Sequence, residues 1–311
     1  MNLSKLKVPT HEKEANRVMI SKNIINNPIL YPPKKLKEHS FKHKGEDVCL
    51  IGYAIPKIDG DNINHITGYQ KMNLSKPLDT FDGYLLFKFT AILQYRINSI
   101  RKNSPEIIER KRYRNINALH FKSFYEILKL LGLPITTQYK NRVREALFKI
   151  SNLSIVWNDS YYDYKTGKKR TGYDMINITS RLRIDDNNKI TLIFTSDWID
   201  LHRGYAIEIY MRDLVHPRNS EKKFFKIKEV VFNLYAYLLA WNNILIKYES
   251  FISRRLKQFC ILIGIGDETS DTKNLKFRLK KTLEEVNTIY NEHYLIDFND
   301  NTIIFTISLN G

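Results

Sequence analysis

Residues 271–307 read DTKNLKFRLKKTLEEVNTIYNEHYLIDFNDNTIIFTI, and this stretch decides the fold. Apolar residues recur every three or four positions as far as residue 290, which predicts an amphipathic helix over 273–290. The segments 294–298 and 302–307 are strand-like, and the polar turn Asn299-Asp300-Asn301 between them suits a tight hairpin. A helix that leads directly into a β-hairpin is typical of the end of a winged-helix domain.

Two more predicted helices precede this segment in the second half of the chain. Residues 225–241 form the first, and residues 248–263 form the second, which ends at the two glycines that follow it. Asp271 or Thr272 can cap the third helix. Three helices and a hairpin, in that order, are the layout of a winged-helix domain.

The first half of the chain repeats this order. Its three predicted helices have candidate N-caps at Asp79 or Thr80, at Asn117, and at Thr136 or Thr137, and they cover residues 81–101, 118–131 and 136–152. Strand-like segments follow at 154–158, 174–184 and 189–195.

The third helices of the two halves also share a short pattern. Arg142–Leu147 and Arg278–Leu283 both read Arg, aliphatic, basic, charged, small, Leu. A shared element order together with a shared motif indicates an internal repeat. The sequence therefore predicts an α+β fold with two tandem winged-helix domains related by a pseudo-repeat, at 79–205 and 206–311.

An N-terminal extension, residues 1–78, precedes the two predicted domains. Residues 1–44 are polar and basic, and they are predicted to form an extended arm with one short helix near 12–25. The segments 48–55 and 63–69 are β-like.

The charge of the chain predicts a polyanionic partner. There are 50 Lys and Arg residues against 33 Asp and Glu, a formal net charge of +17, and neutralising a phosphate releases its counterions. Solubility alone is the alternative explanation. An anionic membrane is disfavoured because the basic residues are spread over folded-looking segments and no apolar run is long enough to span a bilayer. Cys49 and Cys260 form no CxxC pattern, which suits a reducing compartment, so we expect the protein in the cytoplasm.

The third helix of the second half is the principal candidate for DNA contact. Its leucines are predicted to pack inward, which turns the other face outward with the candidate residues Lys273, Lys276, Phe277, Lys280 and Lys281. Lys276 and Lys280 are predicted to matter most. The alternative is an ordinary solvated helix face.

The first half offers two further candidate contacts. Gln138, Asn141 and Arg144 are residue types that pair with adenine or guanine edges, although the neighbouring Glu145 is unfavourable beside phosphate. A basic tip, interpreted as a wing that reaches a minor groove or the backbone, carries Lys165, Lys168, Lys169 and Arg170. A flexible solvated loop is the alternative for the tip.

The sequence lacks the patterns of a DNA-processing enzyme. Tyr161, Tyr162 and Tyr164 could suggest a tyrosine nucleophile, but no two histidines stand one residue apart to hold its metal. The segment 264–267 has two glycines, but it lacks the preceding strand, the third glycine and the Lys-Ser/Thr pair of a phosphate-binding loop. We therefore expect a protein that is not an enzyme and that needs no cofactor or metal.

Three segments resemble the iteron-binding plasmid replication initiators, which are built from two related winged-helix domains. They are Phe232–Leu239, the basic helix Lys276–Asn287 and the closing hairpin Tyr294–Ile307. Asn233 departs from the family, which usually has Arg before its Leu-Tyr pair, and the N-terminal extension has no counterpart.

The resemblance implies a specific function. Such initiators bind repeated double-stranded sites at an origin as monomers, and their dimers often repress their own gene. The second domain is the main reader, whereas the first serves dimerisation or a second DNA contact. They help to open AT-rich DNA and recruit the host replication initiator and helicase. A winged-helix transcriptional regulator and a DNA-nicking or primase-like enzyme are the alternatives. The paired domains disfavour the regulator, and the absent metal and nucleotide patterns disfavour the enzyme.

Overall fold

The computed structural model describes most of the chain. The described residues are 16–25, 37–43, 46–56, 66–71, 78–103, 116–158, 162–163, 165–169, 173–204, 206–211, 227–247, 251–266 and 269–307. Helices and strands are mixed, and the sheets are open and antiparallel. The fold is therefore α+β, as predicted.

The C-terminal part of the chain is a winged-helix domain. It contains helices α6 (Glu229–Lys247), α7 (Leu256–Ile263) and α8 (Thr272–Tyr290), with strand β13 (Ile252–Arg255) between the first two. The wing consists of β14 (Tyr294–Asn299) and β15 (Thr302–Ile307). In the three-stranded sheet β15 lies between β13 and β14.

An equivalent arrangement precedes it in the chain. Helices α2 (Thr80–Asn103), α3 (Phe124–Leu130) and α4 (Thr137–Ser151) take the places of α6, α7 and α8. Strands β5 (Ala118–Phe121), β10 (Thr179–Ile184) and β11 (Ile190–Phe194) form the sheet, with β11 in the centre. The two third helices, α4 and α8, therefore occupy equivalent positions, which confirms the predicted pair of winged-helix domains. Their predicted boundaries, at residues 205 and 206, stay a prediction.

The caps and stops of the helices follow the sequence. The side chains of Thr136 and Asp271 each accept a hydrogen bond from the backbone N–H of the third residue of α4 or α8. Asp79 accepts from the backbone N–H groups of residues 81 and 82 at the start of α2. Gly132 and Gly264 adopt positive φ angles of 65° and 87° where α3 and α7 end.

The second helix of each domain is shorter than predicted. Strand β5 lies within the predicted helix 118–131 and strand β13 lies within the described part of the predicted helix 248–263, each before the observed helix starts. Leu119 and Ile252 are buried in the two sheets, where β5 and β13 pair with β11 and β15. A short apolar run fits a buried strand and a buried helix equally well, so periodicity could not separate them.

The extension and an insertion between α4 and β10 together form a five-stranded sheet. Its strand order is β2 (Lys37–His43), β3 (Glu46–Pro56), β4 (Ile66–Lys71), β6 (Ser154–Asn158) and β9 (Tyr173–Asn177). Strands β3 and β4 fall on the segments that the sequence predicted to be β-like. Between β6 and β9 lies the small hairpin of β7 (Tyr162–Asp163) and β8 (Lys168–Lys169).

Residues 16–25 form an N-terminal strap across the two domains. Strand β1 (Arg17–Ser21) pairs with β12 (Ala206–Tyr210), and the short helix α1 (Lys22–Ile25) packs against α6. The short helix predicted near 12–25 was therefore wrong over 17–21, where the chain is a strand; residues 12–15 lie outside the described part. Val18 and Ile20 are buried, and this alternation of buried and exposed residues is the pattern of a strand.

The winged-helix domains also contact each other directly. The hydroxyl of Thr80 donates to the carbonyl oxygen of Ile227 at 2.8 Å, and Phe87 packs against Phe232 with ring centroids 6.3 Å apart. Helix α5 (Ser196–Leu201) follows the first wing and contacts α2 through the buried Trp198. Within the described ranges, no helix is long and apolar enough to cross a membrane.

Candidate nucleic-acid interface

Helix α8 divides cleanly into a buried and an exposed face. Leu275, Leu279, Thr282, Leu283 and Val286 are buried against the domain. The opposite face is exposed over Lys273, Phe277, Lys280, Lys281 and Glu284. All five residues that the sequence proposed on this helix are thus present on one element, four of them fully exposed.

Phe277 lies at the centre of the exposed face. Successive residues of a helix are rotated by about 100°, which places Phe277 about 180° from the mean direction of the buried residues. Its side chain is 68% exposed, more than any other large hydrophobic residue in the described part of the chain. Lys273, Lys280 and Lys281 surround it within about 60°.

Lys276 takes a different position from the one that the sequence suggested. It is half-buried, and its Nζ atom lies 5.4 Å from the centroid of the Phe298 ring in β14. A cation over an aromatic face is held by the ring quadrupole. Lys276 therefore sits where the helix meets the wing, and the exposed face is centred on Phe277 rather than between Lys276 and Lys280.

The orientation of α8 is fixed at its C-terminal end. Tyr290 stacks on Tyr235 of α6 with ring centroids 3.6 Å apart. The side chain of Asn287 donates to the carbonyl oxygen of Tyr294 at 2.8 Å and accepts from the Tyr294 N–H at 3.1 Å. Because this amide joins the helix to the first residue of the wing, the helix and the wing present their surfaces together.

Two basic residues near the wing turn were missed by the sequence analysis. Arg255 is exposed and pairs with Thr302, beside the turn that links β14 and β15, and Lys257 is exposed in the first turn of α7. The sequence predicted one continuous helix over this segment. Only a strand that ends beside the wing turn places these two side chains near that turn.

On α4, Gln138 and Asn141 are exposed as predicted, whereas Arg144 is half-buried. The guanidinium carbon of Arg144 lies 5.2 Å from the centroid of the Phe124 ring in α3. Gln138 and Asn141 also line an open cleft of about 490 Å³ together with Asp79, Glu145 and Glu229. Three carboxylates and the guanidinium of Arg142 line this cleft, so this side of α4 carries less positive charge than the lysine-rich face of α8.

A buried ion cluster joins α4 to the start of α2. Lys149 Nζ lies 2.8 Å from Asp82 Oδ2, and Arg142 contacts Asp79 and Asp82. Asp82 is fully buried and Lys149 nearly so. Burial and the Asp79 carboxylate raise the pKa of Asp82 to about 6, whereas the two cations act in the opposite direction.

Glu145 belongs to the same cluster, 3.3 Å from both Arg142 and Lys149. The sequence predicted that this carboxylate would be unfavourable beside phosphate. In the structure its charge is paired with Arg142 and Lys149. Arg142 and Arg278 match in the repeat, yet Arg142 is held in this cluster and Arg278 is exposed. The two arginines therefore occupy equivalent positions in the two domains but make different interactions.

The basic tip of the first domain is not on the wing, so that interpretation was wrong. Lys165 and Lys168 are exposed on the β7–β8 hairpin, which arises from the five-stranded sheet, and Lys169 follows in β8. Arg170 lies outside the described residues. The wing is the β10–β11 hairpin, and its turn contains Asp185-Asp186.

The insertion between α4 and β10 caused this difference, because β6 pairs with β4 of the N-terminal extension and β9 pairs with β6 before the chain reaches the wing. The turn of the wing is closed by Asp185, whose side chain accepts from the Lys189 N–H at 2.8 Å. A carboxylate-bearing turn is less suited to a phosphate backbone than the basic tip that the sequence assigned to this place.

Comparison with known proteins gives a likeness of fold. No protein-family model and no curated protein sequence matches the chain. The crystal structure of selenomethionine derivatives of domains 2 and 3 of RctB is 10% identical, with a TM-score of 0.44, over 92% of this chain and 96% of the other. A second crystal structure of RctB domains 2–3 is 11% identical, with a TM-score of 0.42, over 91% and 95%.

Proposed function

We propose that this protein is a replication initiator that binds repeated double-stranded DNA sites at an origin. The observation that carries the proposal is the outer face of α8, where three exposed lysines surround an exposed phenylalanine on the third helix of a winged-helix domain. Such a helix fits the major groove, and lysines at its edges can reach phosphates and base edges together.

The remaining contacts of the proposal follow from the same domain. Arg255 and Lys257 lie on the side of the wing turn, where they would hold the DNA backbone. In the first domain, Gln138 and Asn141 would make a second, weaker contact from α4, and the hairpin with Lys165 and Lys168 would reach neighbouring phosphates. The second domain is therefore the main reader.

The further steps of the proposal rest on the resemblance to plasmid initiators. The monomer binds the repeats, a homodimer in exchange with it represses the protein's own gene, and the DNA-bound form recruits the host replication initiator and helicase. A winged-helix transcriptional regulator would use the same face of α8. The second winged-helix domain in one chain favours the initiator, because repeated sites offer a partner for each reader.

Lys280→Ala is expected to weaken binding to all duplexes alike. If Lys280 neutralises one phosphate, its loss flattens the dependence of log K on log salt concentration by about one unit. The measurement is a titration of a selected duplex and a random duplex at several salt concentrations. Lys102→Ala, which removes an exposed lysine of α2, is the matched control. A variant that keeps the wild-type slope and affinity on both duplexes would exclude Lys280 from the interface.

The proposal includes no catalytic step, cofactor or metal. Supercoiled origin DNA incubated with the protein, Mg²⁺ and Mn²⁺ should therefore stay uncut, because nothing in the proposed action breaks a phosphodiester bond. Gel electrophoresis of the DNA measures this directly. Relaxation that Tyr162→Phe, or the same change at Tyr161 or Tyr164, abolishes would contradict the proposal and favour a nicking enzyme.

A further inference from the structure

The most exposed large apolar side chain of the described residues stands among three exposed lysines on the outer face of α8. Phe277 is 68% exposed, and no aromatic ring of the described residues packs against it. A single exposed apolar residue is ordinary on a protein surface. The position of Phe277 is what distinguishes it, since Lys273, Lys280 and Lys281 surround it on the face of α8 that points away from the domain.

We propose that Phe277 reads thymine by packing its ring against the C5-methyl group in the major groove. This inference rests on the proposed function and names the base pair at the centre of the contact. The thymine methyl is the apolar feature of the major-groove edge, and a phenyl ring is one of the side chains that recognises it. The lysines around the ring would then hold the flanking phosphates and aim the ring at the floor of the groove.

The first domain presents a different side chain at the equivalent position. Asn141 precedes Arg142 as Phe277 precedes Arg278, so the two residues occupy the same position of the repeat. Asn141 is exposed and also lies about 170° from the buried stripe of its helix. Asparagine forms paired hydrogen bonds with adenine. The most outward side chains of α4 and α8, Asn141 and Phe277, are thus each of a type that can contact an A·T pair.

Other charges near Phe277 are compatible with this role. Glu284 is exposed on the same face, but it lies seven residues further along, about 10 Å up the helix axis. Lys276 is held over Phe298 at the edge of the face and leaves the space in front of the ring open.

The test replaces single methyl groups on the DNA. A duplex is first selected from a random pool with the wild-type protein, and each thymine is then replaced in turn by uracil, which keeps the base pair and removes the methyl. At one or two positions the wild-type protein should bind about fourfold more weakly, the value of one buried methyl. Phe277→Ala should bind the thymine and uracil duplexes equally at those positions, and Phe277→Leu should keep part of the preference.

Phe251→Ala is the matched control, because this phenylalanine is also exposed, at 58%. It directly precedes β13, at the end of that strand that is farther from the wing turn. The variant should keep the full uracil penalty. Circular dichroism verifies that all variants are folded.

Three outcomes would overturn the inference. If uracil changes nothing at any position while selective binding persists, the methyl is not read, and the proposed function stands without this detail. If the penalty persists in Phe277→Ala, another residue reads the methyl. If Phe277→Ala keeps the affinity and site preference of the wild type, the ring makes no contact with the DNA. Failure of the wild-type protein to select any duplex would reject the proposed function itself.

Discussion

Asp82→Asn is expected to lower the free energy of unfolding by about 2 kcal/mol, less than the full cost of an unpaired buried charge, because Glu145 still faces Lys149 and burial already disfavours the charged form of Asp82. The substitution removes the carboxylate that lies 2.8 Å from Lys149 Nζ and leaves the buried lysine with the half-exposed Glu145, at 3.3 Å, as its counter-charge. It also weakens the link between α2 and α4, since Arg142 contacts the same carboxylate. Urea-induced unfolding at pH 7 measures the effect.

Two further variants separate the contribution of the buried Asp82–Lys149 pair to stability from that of the half-exposed Glu145. Glu145→Gln removes a half-exposed partner and should cost no more than about 1 kcal/mol. Asp82→Asn combined with Lys149→Met removes both buried charges, so it should recover much of the stability that Asp82→Asn loses. An Asp82→Asn protein within 1 kcal/mol of wild type would show that the buried ion pair does not stabilise the fold.

His202→Asn is expected to change how stability depends on pH. His202 is fully buried, burial lowers the pKa of its imidazole to about 3, and its Nδ1 accepts the Ser21 N–H at 3.0 Å. In the unfolded chain the imidazole of His202 binds a proton with a pKa near 6.5, whereas in the folded chain it stays neutral at that pH. The stability from neutral His202 is therefore present above about pH 6.5 and is lost as the pH falls, by about 2 kcal/mol at pH 5.

Asparagine keeps an acceptor near the place of Nδ1 and does not titrate. The advantage of the wild type over His202→Asn should thus grow by about 2 kcal/mol between pH 5 and pH 7 in urea unfolding. The raised pKa of Asp82 has the opposite effect on stability, because it destabilises the folded state as the pH rises towards about 6. Since both proteins contain Asp82, the difference between their stabilities is free of this effect. His120→Asn, which removes an exposed imidazole, controls for the loss of a histidine. An advantage of equal size at both pH values would contradict the prediction.

The sequence predicted those features that depend on local patterns. The stripe of leucines in α8 and the caps at Thr136 and Asp271 are each set by residues within a few positions of one another. The repeat of helices and wings followed from these local elements. The outward face of α8 was also predicted, because helical periodicity alone decides which residues point away from the core.

Features that depend on distant pairing could not be predicted in this way. Strands β5 and β13 are too short to show a period, and they are strands because β11 and β15 lie beside them. The basic hairpin was assigned to the wing because nothing within it reveals that β6 pairs with β4 of the extension and that β9 then pairs with β6. Arg142 and Arg278 have similar neighbours in sequence, and Asp79 and Asp82, which come from a distant part of the sequence, give Arg142 its separate role.

The hydrogen bonds of Gln94 have a consequence for the solubility of the protein. Its side-chain amide accepts from the Met19 N–H and donates to the Met19 carbonyl, both at 2.9 Å, on the side of β1 that faces away from β12. A strand edge with unpaired N–H and C=O groups is a template for aggregation with other chains. By occupying both groups of Met19, one glutamine takes the place of a neighbouring strand and closes the middle of this edge against edge-to-edge association.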